Sequence, residues 1–318
     1  MCIAPSVVVD AMYERTQRIL NMMGWKLKPK SLNPPDFEFT ALGVKIFFEP
    51  DARTIYISNK EERVLKLQAQ IQKVRTEKLL PYGELQRMRG KMVFSASQVR
   101  GRVGAVTLNL LNKHRGGRIR PDLDTALGWW EEAVCRRSKP RKVIVGDGKP
   151  PILIFTDGAH ETETTGYGGI MIDPLSGEVA GFGRNMGETM KSRLTVQEKK
   201  QQIIGQAELY PAIVARRLWR HKIQGRDVIH MVDNDSARFA LIKGSSPCLE
   251  SAWLVQSFWT DESETDCQSW IARVPSRSNI ADGPSRGDRT EASQIFPHIQ
   301  WLEWNDAQEE ADARSWLI

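Results

Sequence analysis

Two short apolar runs in the second half of the chain end abruptly in acidic residues. Residues 152–155 (ILIF) lead directly into TDG at 156–158, and residues 228–232 (VIHMV) lead into DNDS at 233–236. Short apolar runs that stop at turn-forming residues are typical of buried strands. In a sheet covered by helices, polar groups that follow such strands collect at one edge. The sequence therefore predicts an α/β fold that presents carboxylates at the edge of its sheet.

The order of the elements after residue 150 restricts the topology further. Two β-like segments, 167–172 and 178–184, follow the first apolar run. A helix near 205–221 precedes the second run, and another strand is predicted at 269–274. Three consecutive strands followed by alternating helices and strands indicate a mixed five-stranded sheet with flanking helices.

The first half of the chain has a different pattern. Residues 39–48 and 54–57 are predicted to pair as a β-hairpin. A helix is expected next, because apolar residues recur at positions 64, 67, 71 and 74. The segment 139–150, which is basic and contains proline and glycine, is predicted to be a linker between two domains. Three more helical stretches are expected between hairpin and linker, near 82–97, 99–114 and 122–136.

The net charge of +6 is unevenly distributed along the chain. Residues 1–150 contain 28 Lys and Arg against 15 Asp and Glu, whereas residues 151–318 contain 17 against 24. This asymmetry is consistent with one part that binds a polyanion and another that gathers carboxylates. Two solvated surfaces of different composition are the alternative.

The sequence shows no sign of a membrane or secreted protein. No apolar run approaches the roughly 20 residues that span a bilayer, and the N-terminus lacks the pattern of a signal peptide. The four cysteines, at positions 2, 135, 248 and 267, match neither a metal-ligand spacing nor a disulfide framework. We therefore expect an intracellular protein, cytoplasmic or nuclear, without a membrane partner.

Four acidic residues are predicted to converge at the sheet edge. Asp157 and Asp233 follow the two apolar runs, Glu208 is expected to open a helix with Pro211 in its first turn, and Asp282 is expected to open the last helix. Neighbouring carboxylates raise one another's pKa, which bound cations relieve. Mg²⁺ prefers oxygen ligands, and two such ions about 4 Å apart can activate a water molecule and stabilise the departing oxygen of a phosphodiester. A helix cap or a turn is the alternative role for any single acid here.

Four short motifs in the second half resemble those of a known family. They are TDGA at 156–159, AEL at 207–209, VDNDSA at 232–237 and NIADGPSR at 279–286. In this order they resemble the D-E-D-D signature of the ribonuclease H domain of retroelement polymerases. The last motif is most similar to that of DIRS-like tyrosine-recombinase retrotransposons. The fold implied is a ribonuclease H-like α/β domain.

The first half resembles the same family. Residues 22–48 resemble the end of a reverse-transcriptase palm with its primer-grip hairpin, residues 79–102 resemble the thumb, and residues 126–134 resemble the segment before ribonuclease H. The chain thus resembles the C-terminal part of a retroelement reverse transcriptase. The implied divisions are a palm remnant with a primer-grip-like hairpin at 1–58, a helical thumb or connection-like region at 59–138, the linker at 139–150, a ribonuclease H-like domain at 151–290 and a C-terminal tail at 291–318.

The resemblance implies a Mg²⁺-dependent endoribonuclease that cleaves the RNA strand of RNA–DNA hybrids. Asp157, Glu208, Asp233 and Asp282 would be both catalytic residues and ligands of two Mg²⁺ ions, for which Mn²⁺ can substitute. Asp235 would be a helix N-cap or a reserve ligand. Reverse transcriptases of this kind carry an Asp-Asp dipeptide in the palm, and this chain contains none. DNA synthesis is therefore not expected of this chain alone, and a separate polymerase chain is an expected partner.

Basic residues over the thumb-like helices and before Asp282 are expected to contact the nucleic-acid backbone. A solvated helix face is the alternative. Many ribonucleases H have a His in the loop before the last Asp, where this chain offers Arg277, a residue that stays charged and cannot shuttle a proton. The residues assigned to nucleic-acid binding are Arg87, Arg89, Lys91, Arg100, Arg102 and Arg277.

Two other functions are alternatives to this one. A 3′–5′ exonuclease of the same fold would carry Asp-x-Glu on the first strand, but the residue two positions after Asp157 is Ala159. A non-catalytic nucleic-acid-binding remnant of a retroelement polymerase is the second alternative. The missing polymerase site favours the remnant, and the presence of all four acids argues against it.

Overall fold

The computed structural model describes residues 6–315 apart from 26–35, 97, 98, 100, 138, 147, 162, 163 and 195–202. Within these ranges, no helix is long and apolar enough to span a membrane. Buried side chains from both halves of the chain form one continuous hydrophobic core.

The first half combines a small antiparallel sheet with a helical region. The elements, in chain order, are α1 (Ser6–Met22), β1 (Glu38–Ala41), β2 (Val44–Glu49), β3 (Thr54–Asn59), α2 (Glu61–Glu77), β4 (Leu79–Leu80), α3 (Tyr82–Ser95), α4 (Ala105–Lys113), β5 (Gly117–Arg118), α5 (Pro121–Trp130), which continues as a π-helical turn (Glu131–Arg136), and β6 (Arg141–Ile144).

The predicted hairpin is the centre of the small sheet. Strands β2 and β3 pair antiparallel, and β1 extends the sheet on the side of β2. The segment 139–150, predicted as a linker, contains β6, which pairs antiparallel with β3. Thr54 lies opposite Ile144, and Ile57 lies opposite Arg141. The sheet order among the described residues is therefore β1-β2-β3-β6.

The helical region is packed by the apolar positions seen in the sequence. Helix α2 buries positions 67, 71 and 74, as their spacing predicts. Helix α4 begins at Ala105, several residues later than predicted. Gly104 precedes it with a φ of 84°, in the left-handed region that glycine tolerates. A side chain at this position would also overlap the ring of the buried Trp130.

The second half is a mixed α/β structure, as predicted. Its elements, in chain order, are β7 (Ile152–His160), β8 (Thr165–Asp173), β9 (Glu178–Asn185), α6 (Glu188–Leu194), α7 (Ile204–Leu218), α8 (Arg220–Ile223), β10 (Asp227–Val232), α9 (Asp235–Lys243), α10 (Leu249–Thr265), β11 (Gln268–Arg273), a 3₁₀ turn (Ser276–Ser278), α11 (Asp282–Ser285), α12 (Thr290–Ile295), β12 (Gln300–Trp301) and α13 (Asp306–Ser315).

The main sheet has six strands among the described residues, in the order β11-β10-β7-β8-β9-β12, rather than the five predicted. Strands β7, β8 and β9 are antiparallel neighbours. Strand β10 runs parallel to β7, and β11 runs parallel to β10. The additional strand, β12, comes from the predicted C-terminal tail and pairs with β9 through only two residues.

Different elements cover the two faces of this sheet. On one face, helix α7 lies so close to β7 that a side chain at Gly158 would overlap the backbone of Ala207. On the other face, a side chain at Gly168 or Gly183 would overlap the backbone of α11. Gly168 pairs with Asp157 across the sheet, so Asp157 faces α11. Helix α7 and helix α11 thus approach β7 from opposite sides at adjacent residues.

The two halves of the chain are in direct contact. Arg102 places its guanidinium 4.5 Å from the centre of the Trp259 ring and donates a hydrogen bond to the carbonyl of Ile242. The Trp259 indole in turn donates to the carbonyl of Leu241 at 2.9 Å. These contacts join the segment before α4 to helices α9 and α10.

Candidate active site

Two of the predicted acids are neighbours because their strands are neighbours. In the parallel pair β7–β10, Met231 lies opposite Phe155. Asp157 and Asp233 each lie two residues beyond this last pair. Asp157 is still within β7, which continues to His160 along β8, whereas β10 ends just before Asp233. The site therefore lies where β10 leaves the sheet.

Glu208 reaches the same place from helix α7, although not from its first turn as predicted. The helix begins at Ile204, and Pro211 lies inside it. Proline has no N–H to donate to the carbonyl four residues earlier, which here is that of Ala207. This carbonyl lies against Gly158 instead. Because Gly158 has no side chain, α7 can approach β7 closely. The backbone N–H of Gly158 is then near enough to the Glu208 carboxylate to act against the rise in its pKa.

Asp157, Glu208 and Asp233 form one cluster, with a ligand atom from each within 4.8 Å of the others. Asp157 is 4% exposed and Glu208 is 8% exposed. Burial, reinforced by Asp233 and Asp282, raises the pKa of Asp157 to about 6. Burial, reinforced by Asp157 and Asp233, raises the pKa of Glu208 to about 8. The cluster is therefore electrostatically strained when all three acids are ionised.

The donor set of this cluster fits a hard divalent cation. Glu208 Oε2 and Asp233 Oδ1 are buried and have no hydrogen-bond partner among the described residues. Oxygen atoms of carboxylates are the ligands that Mg²⁺ and Mn²⁺ prefer. A bound cation would satisfy both oxygens and would offset the burial and the repulsion that together raise the two pKa values.

Asp282, the fourth predicted acid, lies outside this group of three. It is the first residue of α11, and its side chain is 51% exposed and 3.3 Å from Arg286 Nε. Arg286 also contacts Glu161 at 2.9 Å. Asp282 is still close enough to Asp157 to contribute to its raised pKa. The structure therefore brings three acids together and leaves the fourth nearby, paired with an arginine.

No protein-family model matches the chain, and no curated protein matches its sequence. Solved ribonuclease H structures match part of it. The RNase H1 of the halophilic archaeon Halobacterium salinarum NRC-1 is 17% identical over 45% of this chain and 99% of that chain, with a TM-score of 0.34. The N-terminal RNase H domain of rv2228c from Mycobacterium tuberculosis is 14% identical over 46% of this chain and 97% of that chain, with a TM-score of 0.34.

A third match is LC11-RNase H1, isolated from compost by a metagenomic approach and solved in complex with an RNA/DNA hybrid. It is 13% identical over 44% of this chain and 98% of that chain, with a TM-score of 0.30. Sequence identities of 13–17% and TM-scores of 0.30–0.34 assign no activity to the chain.

Asp235 is not the N-cap that was one of its two predicted roles, and it is not one of the three clustered acids. Asn234 is the N-cap of α9, and its side chain accepts the N–H of Ala237 at 3.0 Å. Asp235 points to solvent, where it pairs with Arg238 at 2.8 Å and lies 3.9 Å from Arg273.

Two polar residues without a predicted role contact Asp157. Ser285 Oγ lies 2.5 Å from Asp157 Oδ2, and Asn279 Nδ2 lies 3.4 Å from Asp157 Oδ1. Both residues are buried. The NIADGPSR motif contains both of them, but nothing in a single sequence shows that these polar side chains turn inward.

The predicted nucleic-acid-binding residues lie in different environments. Arg87, Arg89 and Lys91 lie on α3 at positions other than its buried ones, and each donates a hydrogen bond to a neighbouring polar group. Arg277 is exposed in the 3₁₀ turn before Asp282. Arg102 is exposed, but its guanidinium packs on the Trp259 ring. Arg100 lies outside the described residues.

Proposed function

We propose that the chain is a Mg²⁺-dependent endoribonuclease that cleaves the RNA strand of RNA–DNA hybrids, as the ribonuclease H part of a DIRS-like retroelement polymerase. The observation that carries this proposal is the cluster of Asp157, Glu208 and Asp233, with two buried oxygens that lack a partner. A buried unpaired carboxylate is costly unless a cation binds it. Cleavage of a phosphodiester is chemistry that such a set of ligands supports.

Bound divalent ions would supply an activated water molecule and stabilise charge on the departing 3′ oxygen. Asp157, Glu208 and Asp233 would hold these ions. Asp282 would also bind one of these ions once its carboxylate separates from Arg286. The nearby N–H of Gly158 favours the ionised form of Glu208.

Binding of the hybrid is the second part of the proposal. The basic residues of α3 and the exposed Arg277 would contact backbone phosphates without sequence preference. The 2′-hydroxyl groups in the shallow minor groove would distinguish the RNA strand from DNA. A separate polymerase chain would supply DNA synthesis, since this chain has no Asp-Asp dipeptide.

Cleavage of a labelled RNA–DNA hybrid in Mg²⁺ tests the proposal. Asp157→Asn keeps the shape of the side chain and removes its charge, and we expect cleavage to fall by at least about 100-fold, because ion binding contributes several kcal/mol to the transition state. Asp266→Asn is the matched control. Asp266 ends α10 in a left-handed conformation that asparagine tolerates, so this variant should cleave like the wild type. Equal cleavage by Asp157→Asn and the wild type would contradict the proposal.

A non-catalytic nucleic-acid-binding remnant is the second candidate function. The pairing of Asp282 with Arg286 favours it, because one of the four acids is then engaged by a side chain rather than held with the others. The same assay separates the two functions. A remnant binds the hybrid, and neither the wild type nor the variant cleaves it.

A further inference from the structure

Each oxygen of Asp157 has a protein donor, and both donors come from the segment that carries Asp282. Ser285 Oγ is 2.5 Å from Oδ2, and Asn279 Nδ2 is 3.4 Å from Oδ1. Ser285 is 1% exposed and Asn279 is 5% exposed. The carboxylate of Asp157 is thus contacted at both oxygens by groups that solvent barely reaches.

Asn279 is itself fixed in one orientation. Its Oδ1 accepts the N–H of Ala281 at 3.3 Å, which identifies the other end of the amide as the donor. Its Nδ2 also lies 3.2 Å from the carbonyl of Thr156. The two hydrogens of the amide are therefore directed at Thr156 and Asp157, which are adjacent residues of β7.

Ser285 has one hydroxyl hydrogen and two nearby acceptors. Besides the Asp157 carboxylate, the carbonyl of Asp282 lies 2.8 Å from Ser285 Oγ. A hydrogen bond to an ionised carboxylate is stronger than one to a peptide carbonyl. When Asp157 is ionised, the hydroxyl hydrogen therefore goes to its carboxylate.

Glycines in the sheet bring Ser285 within reach of Asp157. Gly168 lies opposite Asp157, and Gly183 lies opposite Gly168 on the next strand. A Cβ at Gly168 would come within 2.6 Å of the backbone N of Ser285, and one at Gly183 would overlap the backbone of Pro284. Because these positions have no side chain, α11 lies directly on the strands beside Asp157.

We infer that Ser285 and Asn279 are positioning residues that orient the carboxylate of Asp157 toward the ions it would share with Glu208 and Asp233. The inference rests on the proposed function, to which it adds two residues that touch neither the ions nor the RNA. Groups that orient a metal ligand typically contribute 10- to 100-fold to metal affinity or activity.

The test compares Mn²⁺ binding and cleavage for variants of the full chain. We expect Ser285→Ala to weaken Mn²⁺ binding, measured by titration calorimetry, about 10-fold, and to raise the Mg²⁺ concentration for half-maximal cleavage by a similar factor. The KM for the hybrid should change by less than about two-fold, since substrate contacts are untouched. Ser285→Thr keeps the hydroxyl and should restore Mn²⁺ affinity. Ser293→Ala, on α12, is the matched control and should bind Mn²⁺ like the wild type.

The outcomes separate this inference from the proposed function. If the wild type binds Mn²⁺ but cleaves no hybrid, and Ser285→Ala binds Mn²⁺ more weakly, the proposed function fails and the positioning role stands. Wild-type Mn²⁺ affinity in Ser285→Ala overturns the positioning role, whether or not the hybrid is cleaved. Absence of Mn²⁺ binding by the wild type overturns both.

A second variant covers the case in which Ser285→Ala does not fold. Asn279→Ser keeps an oxygen for the N–H of Ala281 and removes the donor to Asp157. It should weaken Mn²⁺ binding in the same way, and unchanged affinity in a folded Asn279→Ser protein would also overturn the inference.

Discussion

Asn234 occupies the middle of the DNDS motif and makes two contacts of different kinds. Its side-chain oxygen caps α9 through the N–H of Ala237 at 3.0 Å, and its nitrogen lies 3.5 Å from Glu208 Oε1. Because the asparagine supplies the cap, neither flanking aspartate is needed there. Asp233 turns toward the cluster, whereas Asp235 pairs with Arg238 at the surface. The order of three residues thus determines which carboxylate can bind a cation.

The stability of the metal-free protein should fall as the pH rises from about 4 to about 8. The folded-state pKa values of Asp157 (about 6) and Glu208 (about 8) lie above their ordinary values of 3.8 and 4.5. The folded chain therefore holds more protons than the unfolded chain in this window, and the free energy of unfolding decreases with rising pH.

Glu208→Gln removes the group with the larger pKa shift, and with it the larger part of the loss of stability with rising pH. In EDTA at pH 8 we expect this variant to have a higher Tm than the wild type, with about 2–4 °C for each kcal/mol of relieved strain, and to show no gain at pH 4. Glu77→Gln, an exposed position at the end of α2, is the control and should change little at either pH. Calorimetry in EDTA across this range is the measurement, and a lower Tm for Glu208→Gln at pH 8 would refute the assigned strain.

At the scale of elements, what the sequence predicts depends on how local the cause is. The neighbouring positions of Asp157 and Asp233 follow from strand endings, which short apolar runs encode. The place of Glu208 in the second turn of α7 depends on Gly158, a residue about fifty positions away in the chain. Strands β6 and β12 form by pairing with edges that other segments provide. No local periodicity encodes such pairing, so these elements were missed.

The close contact between α11 and the sheet gives a prediction of its own. Gly168→Ala places a Cβ against the backbone of Ser285, and this overpacking should cost about 1–3 kcal/mol of stability. It should also weaken Mn²⁺ binding, because α11 must move away from Asp157. Gly83→Ala is the control, since a Cβ there meets nothing within 4 Å. Thermal unfolding and Mn²⁺ titration measure the two effects, and a Gly168→Ala protein that matches the wild type in both would contradict the described contact.

At the scale of the whole molecule, the predicted C-terminal tail is part of the main core. Glu309, on α13, accepts the N–H of Gly187 at 2.8 Å and lies 3.4 Å from the hydroxyl of the buried Tyr167. The hydroxyl of Tyr210, also buried, donates to Asp312 at 3.1 Å. These carboxylates therefore satisfy polar groups between the sheet and α7, and the motif-based boundary at 290 excludes residues that the domain uses.

Removal of residues 300–318 should consequently destabilise the protein strongly. It takes away β12 and α13 and leaves the hydroxyls of Tyr167 and Tyr210 without these carboxylate partners. Each buried polar group that loses its partner costs about 1–3 kcal/mol, which is a large part of the roughly 5–15 kcal/mol that stabilises a folded protein. We expect a Tm lower by at least about 10 °C, or an insoluble product.

The chain itself supplies a control of similar length. Residues 1–25 include α1, whose side chains from Val8 onward are exposed or half-exposed, so their removal should shift the Tm by no more than about 2 °C. The measurement is thermal unfolding, which compares the Tm of each truncated chain with that of the full chain. If the chain ending at residue 299 kept the Tm of the full chain, Glu309 and Asp312 would contribute nothing to stability, and the boundary at 290 would be correct. The expected result is the opposite, because the removed segment also buries Trp304 and Ala313 in the core, and its loss exposes apolar surface to water.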